Sequence, residues 1–277
     1  MTIPVNTAAG NILLLSSFVL CQLVYAQSKT IEITDPRPVS KAVEQVEAIY
    51  SWPITYEDPL SVHESQLQDV TEKVQRTPDS SHRVIIQRGG TLSFTYKLPS
   101  SAPLPVGEMS QDQAEAETAV AEALSSILDG YTNSGGPVSF TVTEDEGVFH
   151  VVPTNFLNKE GRIERSKPIL DTKISIPQKR RTRIQLLMEI CESLSKATGI
   201  TVGAGNFPYN GGSIQSQSIT NISGSDVAAR MLLIQLLAEM DATMSDQHTS
   251  WTTSWQLLYG PGWGYMLNFH HVIRKKQ

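Results

Sequence analysis

Thr30-Ile31-Glu32-Ile33-Thr34-Asp35-Pro36-Arg37-Pro38-Val39-Ser40-Lys41-Ala42-Val43, followed by Val46, Ile49 and Trp52-Pro53-Ile54-Thr55-Tyr56-Glu57, changes periodicity twice within thirty residues. Ile31 and Ile33 alternate with polar residues, as the two faces of a strand require. Pro36 and Pro38 come next, and proline just ahead of an apolar stripe marks a helix start. Val39, Val43, Val46 and Ile49 then recur at helical spacing, Pro53 stops the run, and Ile54 to Glu57 reads as a strand. The entry is strand, helix, strand.

Outward from this stretch, residues 60–80 are polar and carry no clear period. Arg83 to Arg88 and Thr91 to Leu98 are strand-like runs about Gly89-Gly90, a hairpin-turn signal. Ser110 and Gln113 have capping-box spacing ahead of Ala116, Val120, Ala123, Leu124, Ile127 and Leu128, which predicts a second helix. Val138 to Val142 and Val148 to Val152 then flank Glu144-Asp145-Glu146-Gly147 as a hairpin.

Residues 154–170 lack a sustained period and read as a linker. A similar order begins again at Lys173-Ile174-Ser175-Ile176, a strand. Arg183 to Ala197, ended by Gly199, is an amphipathic helix, and its inward stripe is read as Ile184, Leu187, Met188, Cys191 and Leu194. Ile200 to Val202 and Ile214 to Ile222 are strand-like, Ser225 is placed as the cap of a helix from Val227 to Met240, and Ser254 to Leu258 with Tyr265 to Val272 closes the chain. The expected fold class is α+β: two tandem small modules of order β-α-β-β-α-β(β), each with helices packed on a short mixed sheet. Residues 29–153 form the first, with an insertion at about 60–110, and residues 171–273 the second.

Ile31 to Val43 with Trp52 to Glu57, and in the second half Ile174-Ser175-Ile176-Pro177-Gln178 with Gly224-Ser225-Asp226-Val227-Ala228 through Leu232-Leu233, resemble the short domain at the N-terminus of secretins and TonB-dependent receptors, the STN domain. The resemblance covers residues 29–153 and 171–273. It departs from the family at the insertion and at Lys179-Arg180-Arg181-Thr182-Arg183, where polar uncharged residues are usual. It implies a periplasmic or surface interaction module without a pore or barrel, and therefore a protein-binding role.

Asn11 to Ala26 is a short apolar run ending in the small-residue pattern Val24-Tyr25-Ala26, which predicts a signal peptide over 1–26 and an exported, periplasmic or extracellular protein. Ser16, Ser17 and Gln22 interrupt it below the ~20 apolar residues of a spanning helix, so no transmembrane anchor is expected after cleavage. Cleavage removes Cys21 and leaves Cys191 alone, so no internal disulfide is expected and Cys191 is read as a buried packing residue.

Charge is divided unevenly along the chain. Residues 27–160 carry 20 acidic and 9 basic side chains and residues 161–277 carry 8 and 13, giving net charges of −11 and +5 and the whole-chain −6. An acidic protein without interleaved basic and aromatic residues is not expected to bind nucleic acid. Lys179, Arg180, Arg181 and Arg183 stand at a helix N-terminus, where the backbone dipole disfavours cations, so a compensating anionic surface or partner (a lipid head group, a glycan or the acidic first module) is set against the plainer account of a solvated loop. Trp251 and Trp263, near Trp255, Tyr259 and Tyr265, could stack on a glycan or anchor a protein, with core packing as the plainer account. His270 and His271 are adjacent and would point to opposite faces of a strand, which excludes a shared metal site. No catalytic motif, cofactor loop or metal-ligand spacing is found, so neither cofactor nor metal is expected. The sequence thus points to a non-catalytic protein-interaction module of the bacterial-type envelope, with a cell-surface carbohydrate-binding protein or hydrolase using the C-terminal aromatics as the alternative.

Overall fold

The computed structural model describes residues 27–74, 83–98, 111–205, 217–244 and 250–274. The expected signal peptide, Ser110 and the start of the Ile214 run lie outside them. The fold is α+β. Its centre is a six-stranded mixed sheet in the order β12 (Val202–Ala204), β16 (Gly264–Arg274), β15 (Ser250–Gly260), β2 (Ile54–Glu57), β7 (Val148–Pro153) and β6 (Phe140–Asp145). The first three come from the second half of the chain and the last three from the first. Parallel pairing of β2 with β15, Tyr56 opposite Gln256 and Glu57 opposite Leu257, joins the halves into one sheet.

Alternation along the paired strands assigns the two faces. Ile54 and Tyr56 turn to one side with Phe149 and Val151, where α1 (Pro38–Tyr50) and α3 (Gln111–Asn133) cover them with Val39, Val43, Val46, Val120, Leu124 and Ile127. A two-stranded antiparallel sheet, β1 (Ser28–Asp35) with β5 (Gly90–Lys97), closes this core through Ile33, Leu92 and Phe94. Trp255, Leu257, Leu267 and Phe269 turn to the other side, under α4 (Arg183–Thr198) and α5 (Ala229–Met244). There β10 (Lys173–Ile176) with β14 (Gly224–Ala228) forms the matching outer pair. Each fully buried Leu, Ile or Phe in these cores contributes about 1.5–3 kcal/mol.

The pairing scheme therefore occurs twice. β2 lies parallel to β7, which turns back antiparallel to β6; β12 lies parallel to β16, which is antiparallel to β15. Helix ends follow local chemistry. Pro38 occupies the first turn of α1, while Thr182 and Gln185 form a reciprocal capping box on α4, ended by Gly199 in the left-handed conformation.

Three expectations need correction. Gly89-Gly90 is not a hairpin turn: β5 pairs with β1, and β4 (Ile85–Gln87) pairs with β3 (Leu67–Asp69) across a single-turn helix, α2 (Thr71–Val74). Gly89 serves close approach instead, since a Cβ there would lie 2.0 Å from the Asp35 carbonyl oxygen. Ser225 caps no helix, because Gly224–Ala228 is drawn into β14 by pairing with β10, and α5 starts at Ala229. The buried face of α4 contains Leu186, Leu187, Ile190, Cys191 and Leu194, whereas Met188 is exposed. Leu186 and Ile190 rotate the stripe by one residue from the expected one.

Residues 154–170 contain a hairpin, β8 (Asn155–Leu157) with β9 (Ile163–Arg165), and a 3-10 turn that buries Leu170 completely in the second core. β11 (Arg181–Thr182) and β13 (Ile219–Thr220) form a small pair beside α4. Among the described residues no helix is long and apolar enough to cross a membrane.

Candidate functional site

β2 is flanked by both halves, and the polar residues around it are tied across the joint. Glu57 is almost fully buried and pairs with Arg230, the second residue of α5, whose Nε also donates to Asp171 at 3.0 Å. Burial raises the Glu57 carboxyl and Arg230 opposes the rise. Asp58 accepts from Arg37 Nε at 2.7 Å, Gln87 Nε2 at 3.0 Å and the Tyr259 amide at 2.8 Å, while Arg37 also donates to the Tyr259 carbonyl at 2.7 Å. Burial likewise raises Asp58, with Arg37 opposing. On the α1 side, Glu47 accepts from the Ile54 amide at 2.9 Å and meets His270 Nε2 at 2.6 Å, and Glu44 accepts from Gln256 at 3.2 Å.

His150 Nδ1 lies 2.7 Å from Thr55 Oγ1, its ring 5.9 Å from that of Trp255, and burial pushes its pKa down to about 3. Such shifts often mark catalytic groups. Glu57, Asp58 and His150 are each about 1% exposed, and their principal partners are internal side chains and backbone groups, so they serve the joint.

A cavity of about 330 Å³ opens beside this joint in the first half. Arg37, Tyr56, Gln66, Gln87, Tyr131 and Phe140 contribute to its wall, and the loop Ser134 to Val138 forms one rim. Gln66 Oε1 is buried there without a hydrogen-bond partner, and burial pushes Tyr131 up to about 12. Arg37 and the carboxamides of Gln66 and Gln87 suit a small polar or amide-bearing group against the Tyr56, Tyr131 and Phe140 rings.

Phe140 also begins β6, the terminal strand of the sheet. The Thr154 amide donates to the Ser139 carbonyl at 2.9 Å, which fixes the ladder so that Ser139, Thr141 and Thr143 bond toward β7. The N–H and C=O groups of Phe140, Val142 and Glu144 therefore point outward, and among the described residues no strand pairs with them. Cavity and open edge share Phe140.

The residues singled out from sequence do not gather at this place. Arg181, in β11, is 3% exposed and pairs with Glu189 of α4, eight residues further along the chain, which Lys179 also meets at 2.8 Å. Arg181 additionally donates to the carbonyls of Pro177 and Ile222. Arg183 is 5% exposed with Glu239 at 3.7 Å, and Arg180 is exposed. The compensation sought for this cluster is thus largely intramolecular. Trp263 sits exposed in the turn over Gly260; Trp251 lies on β15, with its side chain outside the described residues; Trp255 is buried. Gln66 was missed because residues 60–80 carry no clear period, and Arg37, Gln87 and the β6 edge because strand order and pairing are not local information. Cys191 is buried, with its thiol pushed up to about 12 by burial. Among the described residues no group of three or more acidic, His or Cys side chains could hold a metal.

No family model matches the chain, and neither a curated protein nor a solved structure matches it.

Proposed function

We propose that this chain is an exported, bacterial-type envelope protein that acts as a non-catalytic protein-interaction module, taking up an extended segment of its partner along the β6 edge. The observation that carries the reading is the outward row of backbone groups at Phe140, Val142 and Glu144, and Phe140 also lines the neighbouring cavity. Strand addition of this kind draws affinity from main-chain hydrogen bonds and selectivity from side-chain pockets. The leader-like Asn11 to Ala26 supports export, and the resemblance to the STN domain supports a protein partner; both remain part of the proposal.

The test is a photoreactive residue at exposed Thr143 on β6, compared with one at exposed Lys196 on α4, in intact cells expressing the chain from its first residue. The expected result is attachment of one recurrent polypeptide at position 143 and not at 196. Absence of attachment, together with a purified chain that is retained on or turns over a cell-surface glycan, would overturn the reading and shift attention to Trp263.

A further inference from the structure

The joint at β2 and β15 uses only half of the edges that the repeated pairing scheme creates. Aligning the halves on their ladders places Ile54 on Val202, Tyr56 on Ala204, Phe149 on Tyr265 and Val142 on Leu257. The helices agree with this alignment. The Ile54 amide is held by Glu47 at 2.9 Å, and the Val202 amide by Ser195 at 2.8 Å, seven residues upstream in each case. β12 is thus the counterpart of β2, and β6 the counterpart of β15. In the first pair each is consumed by the other half; in the second both stand, among the described residues, at the ends of the sheet.

We infer that β12 of one copy pairs in parallel with β6 of the next, so that the chain assembles head to tail with copies of itself. This rests on the edge reading above and names the partner strand.

Residues at the two ends match those at the joint. Within the chain, the Asp58 amide donates to the Leu257 carbonyl at 2.8 Å, Ser254 Oγ to the Ile54 carbonyl at 2.8 Å, and Gln256 to Glu44 on α1 at 3.2 Å. The counterpart of Ser254 is Ser139, which is exposed; its Oγ accepts from Asn155 at 3.2 Å and retains its own proton to donate. Glu44 and Gln256 have their counterparts in exposed Glu192 and in Thr141. In the register of the joint Thr141 lies opposite Ala204 and Val142 opposite Gly205. Because Val202 is closed by Ser195, the Ala204 N–H and C=O are what β12 offers, just as Tyr56 offers them at the joint.

The symmetry is open. β2 and β15 run together while β16 and β12 run against them, so the second half is the first turned by half a revolution about an axis across the strands and moved along it. Repetition of that operator joins unlike surfaces and extends a filament, with helix pairs on alternating faces.

Two variants test it. Val142→Pro removes the outward N–H of β6, and Ala204→Pro that of β12; among the described residues neither takes part in an internal ladder bond. Purified wild-type chain at about 100 µM should sediment as a concentration-dependent series of multiples. Each variant alone should remain a monomer, and an equimolar mixture should stop at a dimer. Should either variant fail to fold, as read by circular dichroism, a chain carrying Thr141→Cys and Ala204→Cys gives the second readout. Its two new thiols stand at opposite ends of the sheet, native Cys191 is buried, and mild oxidation should yield a covalent ladder. A monomeric wild type with no ladder overturns self-assembly, as does a dimer crosslinked through two copies of position 141. In that event, attachment of a different protein at position 143 leaves the edge reading standing, and its absence removes both.

Discussion

Acidification should loosen the joint through His150. In the unfolded chain this imidazole titrates near 6.5, whereas in the fold it stays neutral until about pH 3 because burial, aided by Arg230, disfavours its charged form. Between those values the unfolded state binds more protons, so stability falls as pH drops below 6.5. At pH 5 an unfolded histidine is almost fully protonated and the folded one almost not at all, which converts to a loss of about 2 kcal/mol relative to pH 8. His150→Gln preserves a polar atom for Thr55 and cannot titrate there. Urea midpoints of both proteins, measured at pH 8 and pH 5, isolate the term, since other groups contribute to both. The wild type should lose about 2 kcal/mol more than the variant over that interval. Equal losses would refute the assignment and show that water or rearrangement lets His150 charge freely within the sheet.

His270 works in the opposite sense. Burial lowers its pKa, but hydrogen bonding and attraction from Glu47 outweigh this and the net shift is upward. Its pair with Glu47 therefore stabilises fully below the unfolded pKa and is lost as pH rises through the elevated folded value, so the stability gap between wild type and His270→Gln should narrow in alkaline denaturant titrations. Arg230→Met leaves Glu57 as a buried unpaired carboxylate and should cost about 3–5 kcal/mol in equilibrium unfolding, with Glu57→Gln in the same chain restoring most of it. Gly130→Ala places a Cβ 2.1 Å from the Ser93 carbonyl, where α3 crosses β5; despite the better helix propensity of alanine, it should lower the thermal midpoint by the equivalent of about 1–3 kcal/mol.

The elements with a strong local period were readable from sequence. Val39, Val43 and Val46 mark the buried side of α1, and Val120, Leu124 and Ile127 that of α3, because a helix advertises its face within four residues. Pairing was less accessible. Gly89-Gly90 has hairpin composition, yet β5 finds its partner more than fifty residues upstream in β1. Gly224 to Ala228 borders a strongly apolar helix, and only its tertiary partner Ile174 shows that it is a strand. The candidate site was hidden for the same reason: Arg37, Gln66, Gln87, Tyr131 and Phe140 come from separated segments, and none forms a motif with its sequence neighbours. The basic cluster before α4 was visible, but its partners Glu189 and Glu239 became evident only when helix phase and packing were known.

The joint also sets a timetable. Ile54 accepts its hydrogen bond from Ser254, 200 residues later, so β2 is synthesised long before the strand that covers it. Loop closure over such a span is slow compared with local folding. Until β15 arrives, the nascent first half presents β2 as a short edge, and Glu57 at its end still awaits Arg230. A charge on an edge strand discourages pairing with strangers. The carboxylate that anchors α5 once the sheet is complete is therefore, until then, a charge carried on the open edge of β2.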